Sequence, residues 1–555
     1  MDTSNFSAPN LSAPNLRARS GGDLGGLTVR PVPLERALGL LAVRRYGLCV
    51  GFVLLLMAFN VFAGLGSVSL NDSDEARYGV AAWEMLQNRS LIVTTYGGQP
   101  EYWNLKPPLG YWLMALSFWV FGPTPFALRL PSALCAIGVV ALAMAISRRW
   151  LGRRASLLCG LFLATAYGFL TNHGARSGDL DAALTLLLLV ATIEVSRLDK
   201  SPWRVVSLGF LLGLGVLLKS FAILPLVATA GLYAWWTGSW RRQRLVPCLL
   251  ALLAFGLPVA AWAAARIHAD GSTHFLDLMV QEDLLARSTS IIDKVTYSPF
   301  GYLGSLFDRF APWPLLILGA AILAAREERF RLRALGSRLA QGWLPLLLLW
   351  ALVPLVLFSI SRTQHHWYLD PSYPAWAMLG ALAVLELLRR APAARRKAAV
   401  LACILVPLAL CEVRVLYRVL LAERAPESQR FLASLAAHRM ELGGELHTGP
   451  LRHSERFILE AMDGFEVKEA SAESAGTNRG PFDAPSVLIA KATPGPRPQP
   501  QLGSGIFLET RDYLLFQGAN DIAGRAVPRR SRSHAHHLGR RPRLWRGPRS
   551  RIFPS

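Results

Sequence analysis

A chain of 555 residues could hold several soluble domains, but 52% of these residues are hydrophobic and only 17% are charged, which excludes an ordinary soluble assembly. Apolar runs of about 17–25 residues recur along it, the signature of membrane helices. The net charge of +22 does not imply a nucleic-acid groove, because it collects in loops and in residues 525–555, which carry ten Arg and no acidic residue.

Residues 1–45 contain SAPN twice, at 7–10 and 12–15. Such a Pro/Asn/Ser/Gly-rich segment reads as a disordered N-terminus, not a cleavable signal. The first span is 46–68, followed by a polar loop over 71–108. Read as a helix, this loop puts Asp74, Arg77 and Tyr78 on one face and Ala76, Val80, Trp83 and Leu86 on the other. Asn71 or Asp72 is the expected cap. The aromatic run 109–122 is too short to span and reads as interfacial.

Further spans follow at 127–147, 155–171, 182–196, 204–218, 221–237 and 245–264. The fifth and sixth of the chain meet at Lys219-Ser220. A second long polar loop, 265–300, leads to another surface helix and to spans at 312–325, 343–360, 372–388 and 398–415. The expectation is an all-α polytopic membrane protein with about eleven spans, within a range of about 10–13, plus outer-side interfacial helices. Arg/Lys-rich and Arg/Lys-poor loops alternate, which places the N-terminus in the cytoplasm and the long polar loops outside. Residues 46–415 form the expected membrane domain. Residues 416–495 read as a small α/β appendage and 496–555 as a Pro/Arg-rich disordered tail.

The six Cys form no CxxC, and no disulfide framework is expected. His173 and the pair His365-His366 lack metal-site spacing, so solvated or hydrogen-bonding roles are expected. Asp74, Glu75 and Arg77 read either as a helix start with an i,i+3 ion pair or as a carboxylate base held ionised by the guanidinium. Lys106, before Pro107-Pro108, reads as snorkelling or as a phosphate contact. Asp179 and Asp181 sit where a helix dipole favours carboxylates. A site requires the outer loops to converge, gathering Asp74, Arg77, Lys106, Arg176, Asp179, Asp181, Lys219, Glu282, Asp283 and Arg362. No Walker A, GxGxxG, GxSxG or HExxH motif occurs. An outward-facing site has no nucleotide supply, so an activated donor would arrive on a lipid phosphate.

In order, DEARY, KPPLGYWL, ARSGDLDAAL, EDLLAR and SRTQHHWYLDPSYPAW over about 46–390 resemble the GT-C glycosyltransferases. The nearest branch is the family 39/83 group of protein O-mannosyltransferases and lipid A aminoarabinose transferases. The resemblance implies a GT-C-like fold and sugar transfer, with inversion, from a polyprenyl-phosphate donor to an outer-side lipid, glycan or protein acceptor. It implies Asp74 as the catalytic carboxylate, with Arg77 and Asp181 beside it. It implies Lys106, with Arg362, as contacts to the donor phosphate. Glu75, Tyr78, Asp179, Glu282 and Asp283 are supporting candidates. The aminoarabinose branch has a metal-associated Glu and His where this chain has Leu105 and Leu284. No metal ligand is therefore assigned, a divalent cation is left open, and Glu101 or His268 are the nearest substitutes. Gln364 stands where a late-loop lysine is usual. The alternatives are a transporter or flippase of lipid-linked saccharides, and a non-catalytic assembly scaffold.

Overall fold

The computed structural model describes residues 34–171, 173–291, 297–326, 342–391, 393–422, 425–439, 445–448, 451–469, 487–491, 505–509 and 513–517. The expectations for residues 1–33 and 518–555 lie outside these. Among the described residues, seven helices are long and apolar enough to cross a membrane. There are eight if Gly301–Arg309 and Trp313–Leu323, bent by 106°, count as one span. The chain is a mostly helical, multi-pass membrane protein.

The elements that position the site come early. Helix α1 (Leu34–Phe62) leads to α2 (Asp74–Gln87), whose first turn carries Asp74 and Glu75, where the dipole favours negative charge. Neither expected cap acts as one: Ser73 precedes the helix without a side-chain bond. The Asn71 amide donates to Glu75 Oε2, and Asp72 Oδ1 accepts from the amide and hydroxyl of Ser454. The partner that engages Asp72 lies 382 positions away in the sequence, so local capping rules miss it.

Helix α3 (Leu109–Phe121) starts after Pro107-Pro108 and stops at Gly122, whose φ of 75° suits glycine. Helix α4 (Pro125–Leu151) opens with Pro125 in its first turn and Thr124 Oγ1 accepting from the Ala127 amide. Helix α5 (Arg153–Ala164) is only 12 residues long, and α6 (Tyr167–Leu170) is a single turn. Helix α7 (Asp181–Val195) has 15 residues. The stretch read as the third span thus breaks at Thr165. The following polar loop, 173–180, is buried inside the protein.

Helices α8 (Arg204–Lys219) and α9 (Leu224–Thr237) belong to one apolar stretch of 34 residues, Arg204–Thr237. It folds back at Lys219-Ser220. Ser220 has φ 48°, and a Cβ on Gly215 would lie 2.5 Å from Ile223. The segment after α9 returns to the start of α8, where Arg242 and Gln243 donate to the carbonyls of Asp199 and Leu198. Helix α10 (Leu245–Asp270) packs along α8 through Gly209 and Gly213, where a Cβ would meet backbone oxygens at 2.3 and 2.7 Å. Small residues give this close approach in membrane helix pairs.

The helices Trp343–Ile360, Tyr373–Arg390 and Ala394–Tyr417 complete the bundle. A buried core joins Met57, Val140, Phe162, Trp313, Trp350 and Met378. After them comes a five-stranded mixed sheet. Its strands are β1 (Glu445–Thr448), β2 (Glu466–Glu469), β3 (Val487–Lys491), β4 (Gly505–Glu509) and β5 (Tyr513–Gln517), in the order β2-β1-β3-β5-β4. The expected boundary at 495 is therefore corrected, because β4 and β5 lie beyond it. The Pro-rich stretch between β3 and β4 read as the start of a tail, and the strand pairing that crosses it is non-local. Between β1 and β2, residues 453–462 pack on α2, where a Cβ on Gly79 would come within 2.8 Å of the Phe457 ring.

Candidate functional site

Five of the polar loops meet at a cavity of about 300 Å³. Its polar end carries Lys106 from the first loop, Asp181 at the start of α7, and Lys219 and Ser220 at the α8–α9 turn. Asp283 and Arg287 come from the 279–289 helical segment, and Tyr368 from the loop after Trp343–Ile360. Its other walls are apolar, with Leu184, Leu188, Phe221, Leu226, Trp350 and Phe358 among them.

The cations are held by carboxylates. Lys106 Nζ lies 2.5 Å from Asp283 Oδ2, and Arg287 Nε donates to Asp283 Oδ1 at 3.2 Å. Ser220 Oγ is 3.3 Å from the same carboxylate, and Arg287 reaches the Tyr368 hydroxyl at 3.4 Å. Lys219 Nζ lies 2.5 Å from Asp181 Oδ1. Among the described residues lining this end, three cations, Lys106, Lys219 and Arg287, face two carboxylates, Asp181 and Asp283, at the mouth of an apolar chamber.

Behind Asp181 lies a second charged group. His173 Nδ1 is 3.1 Å from Asp179 Oδ1, and the Asp179 carboxylate also accepts from the Ser177 hydroxyl. Ligand-type atoms of Asp74, His173 and Asp179 all lie within 4.8 Å of one another. That spacing suits a cation, and the cation that the fold itself supplies is the His173 imidazolium. Burial pulls the His173 pKa down, but the Asp179 carboxylate, by charge and hydrogen bond, outweighs it and raises the value to about 9, with help from Asp181 and Asp74. Burial pushes Asp179 up, and the same imidazolium wins and holds it below the usual carboxylate range. The His173 ring stacks on Trp367 at 3.7 Å and 17°. Asp74 is half-buried and makes no side-chain hydrogen bond among the described residues.

Arg77 does not pair with Asp74, as the i,i+3 spacing suggested. It forms a two-pronged pair with Glu101 at 2.9 and 2.8 Å. Its guanidinium lies between Tyr96 and Trp103, 4.5 and 4.4 Å from the ring centres. A planar fork matched by a carboxylate and two aromatic faces outweighs one helical neighbour. Glu101 also accepts from the amides of Trp103 and Asn104, which fixes the loop just before Lys106. His453 completes the cluster, sharing a hydrogen bond with the Tyr96 hydroxyl at 2.6 Å. Burial and then Arg77 lower its pKa, so this imidazole stays neutral.

Glu75 forms a buried pair with Arg129, and Tyr78 lies edge-on to Tyr111 at 5.5 Å. Burial, then the Asp74 charge, raises the Tyr78 hydroxyl well above its usual pKa. Arg176 donates to the carbonyls of Asn60 and Val61, and Glu282 is exposed. Arg362 does not reach the Lys106 cavity. Its guanidinium covers Tyr297 at 4.8 Å and lines a separate hollow. Leu105 is buried against Leu217, Trp262 and Phe275, and Leu284 is in the cavity wall, so neither position offers a metal ligand.

Sequence reasoning passed over Arg287, Tyr368 and His453. Arg287 had a signal, standing four residues after Asp283 on one helical face. His453 had none, because its contact with Arg77 spans 376 positions.

Residues 105–263 match the dolichyl-phosphate-mannose-protein mannosyltransferase family. The chain is 31% identical over 348 residues to the undecaprenyl phosphate-alpha-4-amino-4-deoxy-L-arabinose arabinosyl transferase of Pseudomonas aeruginosa (strain UCBPP-PA14), covering 60% of each chain. It is 30% identical over 328 residues to the enzyme of the same name from Erwinia tasmaniensis, covering 55% of this chain and 54% of that one. The chain thus spans about 60% of the length of the curated relatives it matches first. Its fold is similar to that of ArnT from Cupriavidus metallidurans bound to undecaprenyl phosphate. That similarity has a TM-score of 0.61 at 17% identity and covers 84% of this chain and 97% of that one. The apo structure of the same protein gives a TM-score of 0.62, also at 17% identity, with coverages of 87% and 100%.

Proposed function

For this relative of the PMT-type GT-C glycosyltransferases, we propose transfer of a sugar from a polyprenyl-phosphate carrier to an acceptor at the outer face of a bacterial inner membrane. The N-terminus is cytoplasmic in this reading, the span count approaches eleven with the short helices included, and the C-terminal unit lies on the site's side. The single observation that carries the proposal is the cavity. It joins a cationic end of Lys106, Lys219 and Arg287 to apolar walls, the chemistry of a phosphate carrying an isoprenoid tail.

Each part then has a task. Lys106 and Arg287, with the Tyr368 hydroxyl, hold the carrier phosphate. Arg287 takes the role that sequence reasoning gave to Arg362. Asp74 takes the proton of the acceptor nucleophile as its bond to the sugar carbon forms. The bond from that carbon to the phosphate oxygen breaks, and the phosphate leaves with the bonding pair. Lys106 and Arg287 meet the developing charge. Asp181 keeps Lys219 beside the phosphate, and Arg77 with Glu101 fixes the approach to Lys106. The sugar passes through an oxocarbenium-like state with inversion, by analogy with glycoside chemistry.

The names of the relatives make undecaprenyl-phosphate 4-amino-4-deoxy-L-arabinose the first donor to test. Leu105 and Leu284 depart from that branch, so mannosyl and other pentosyl carriers belong in the same experiment. Membranes carrying the wild-type chain or Asp74→Asn are supplied with each labelled donor and native acceptor extract. Label reaches an acceptor with wild type and not with Asp74→Asn at equal protein level. Equal transfer by both overturns Asp74 as the base. Label that only changes leaflet favours a flippase.

A further inference from the structure

We propose that His173 is a positioning residue of the transfer site, pairing with Asp179 and holding a positive charge within 4.8 Å of the Asp74 carboxylate. The inference rests on the reading of Asp74 as the base.

The backbone is the first ground. His173 has φ 63°, in the left-handed region that side-chain-bearing residues rarely adopt. The neighbouring chain enforces this. The Ala175 amide donates to the Phe169 carbonyl at 2.8 Å, and a Cβ on Gly174 would come within 2.1 Å of that same oxygen. A histidine merely solvated at a surface needs no such conformation, and residues held this way gather at functional sites. Here the side chain is buried.

The second ground is orientation. Stacking on Trp367 fixes the plane of the ring, and the 3.1 Å contact with Asp179 fixes its rotation within that plane. The imidazole therefore presents its charge in one direction only.

The third is charge. Asp74 comes from α2, Asp179 and Asp181 flank the start of α7, and Lys219 is engaged by Asp181 at 2.5 Å. From the segment packed on the other side come His365 and His366. Lys219 pairs with one of three carboxylates. The imidazole faces the other two, and a pKa of about 9, raised chiefly by Asp179, makes it a cation at neutral pH. Asp74 can then act as a base without a hydrogen-bond partner of its own to compete for its proton.

The test uses the full chain in lipid nanodiscs and the variant His173→Asn. Asparagine tolerates the left-handed backbone and removes the cation, so the charge is changed without adding strain. Two readouts are taken. In the first, protein labelled at histidine is titrated by NMR. One imidazole of the wild type stays protonated to about pH 9, its signal is missing in His173→Asn, and its midpoint falls in Asp179→Asn. If every imidazole loses its proton by about pH 7.5, the bridge does not exist and the proposal is overturned. Resonances of the same imidazole that vanish on adding zinc or manganese at stoichiometric concentration also overturn it, in favour of a metal site.

The second readout is transfer. In His173→Asn, kcat falls about tenfold or more, binding of undecaprenyl phosphate stays within about twofold, and the alkaline limb near pH 9 is lost. An unchanged kcat and pH profile reduce His173 to a packing role. The failures are distinguishable. A wild type that moves no sugar overturns the reading of Asp74 and the positioning role built on it. Transfer by wild type with full activity in His173→Asn overturns the positioning role alone.

Discussion

Glu75 and Arg129 form a two-pronged ion pair, at 2.6 and 2.9 Å, with both side chains almost wholly excluded from solvent. Arg129 also donates to the carbonyls of Leu65, Val68 and Ser69. Glu75 accepts from the amides of Asn71 and Gly178. The pair ties the first loop, α4 and the second polar loop together one residue away from Asp74. Its neighbour in sequence is proposed for chemistry, while this carboxylate serves the scaffold.

Removing one partner leaves a buried charge without compensation. Arg129→Ala or Glu75→Gln is expected to destabilise the protein by about 3–5 kcal/mol. Thermal unfolding in detergent reads this as a large drop in Tm. A matched apolar pair at the two positions is expected to recover much of it, because the cost lies in the unpaired charge.

Lys106 and Arg287 should bind the carrier phosphate, and Arg362 should not. Lys106→Ala and Arg287→Ala are expected to weaken undecaprenyl phosphate binding by about tenfold or more each, since each removes a charge-assisted contact. Arg362→Ala should stay within about twofold by the same reasoning. Titration of the labelled lipid into nanodiscs checks all three, and a loss confined to Arg362→Ala would refute the assignment.

Asp463, in the turn after residues 453–462, is a buried carboxyl whose pKa burial raises to about 7. A raised folded value means that the native state binds its proton more tightly than the unfolded chain. The stabilising contribution is fully present below the ordinary carboxylate pKa and is lost as pH rises through about 7. Asp463→Asn removes that loss. The variant is expected to exceed the wild type in Tm at pH 8 and to converge with it near pH 4.

The C-terminal unit bears on the first loop through Asp72, Tyr96 and Arg77. His453→Ala is expected to loosen Arg77 and to lower the transfer rate by several-fold, about 1 kcal/mol, with little change in overall stability. Hydrogen exchange over residues 95–104 should rise in the variant. No change in either readout would separate the unit from the site.

Much of the architecture was legible in the sequence, because long apolar runs and the breaks between them are local properties. The segments 343–360 and 372–388 coincide closely with Trp343–Ile360 and Tyr373–Arg390. The reversal at Lys219-Ser220 was readable as a polar interruption in an apolar run. Span 182–196 likewise coincides with α7, but the early end of α5 at Ala164 was not readable, because hydropathy does not record that a polar loop is drawn into the protein. Strands β4 and β5 were also missed, since their pairing partners lie across a Pro-rich stretch.

For the candidate site, the sequence by itself determined the inventory: Asp74, Lys106, Asp179, Asp181 and Asp283 stand out as polar residues at the ends of apolar segments. Only the tertiary structure decided the pairing. Arg77 chose Glu101 over Asp74, Glu75 chose Arg129, Arg287 and not Arg362 lines the cavity, and His173 paired with Asp179. Burial and helix placement are encoded within a few residues of sequence. The choice among ion-pair partners depends on distances across the whole chain, where a few ångströms at low dielectric decide which charge wins.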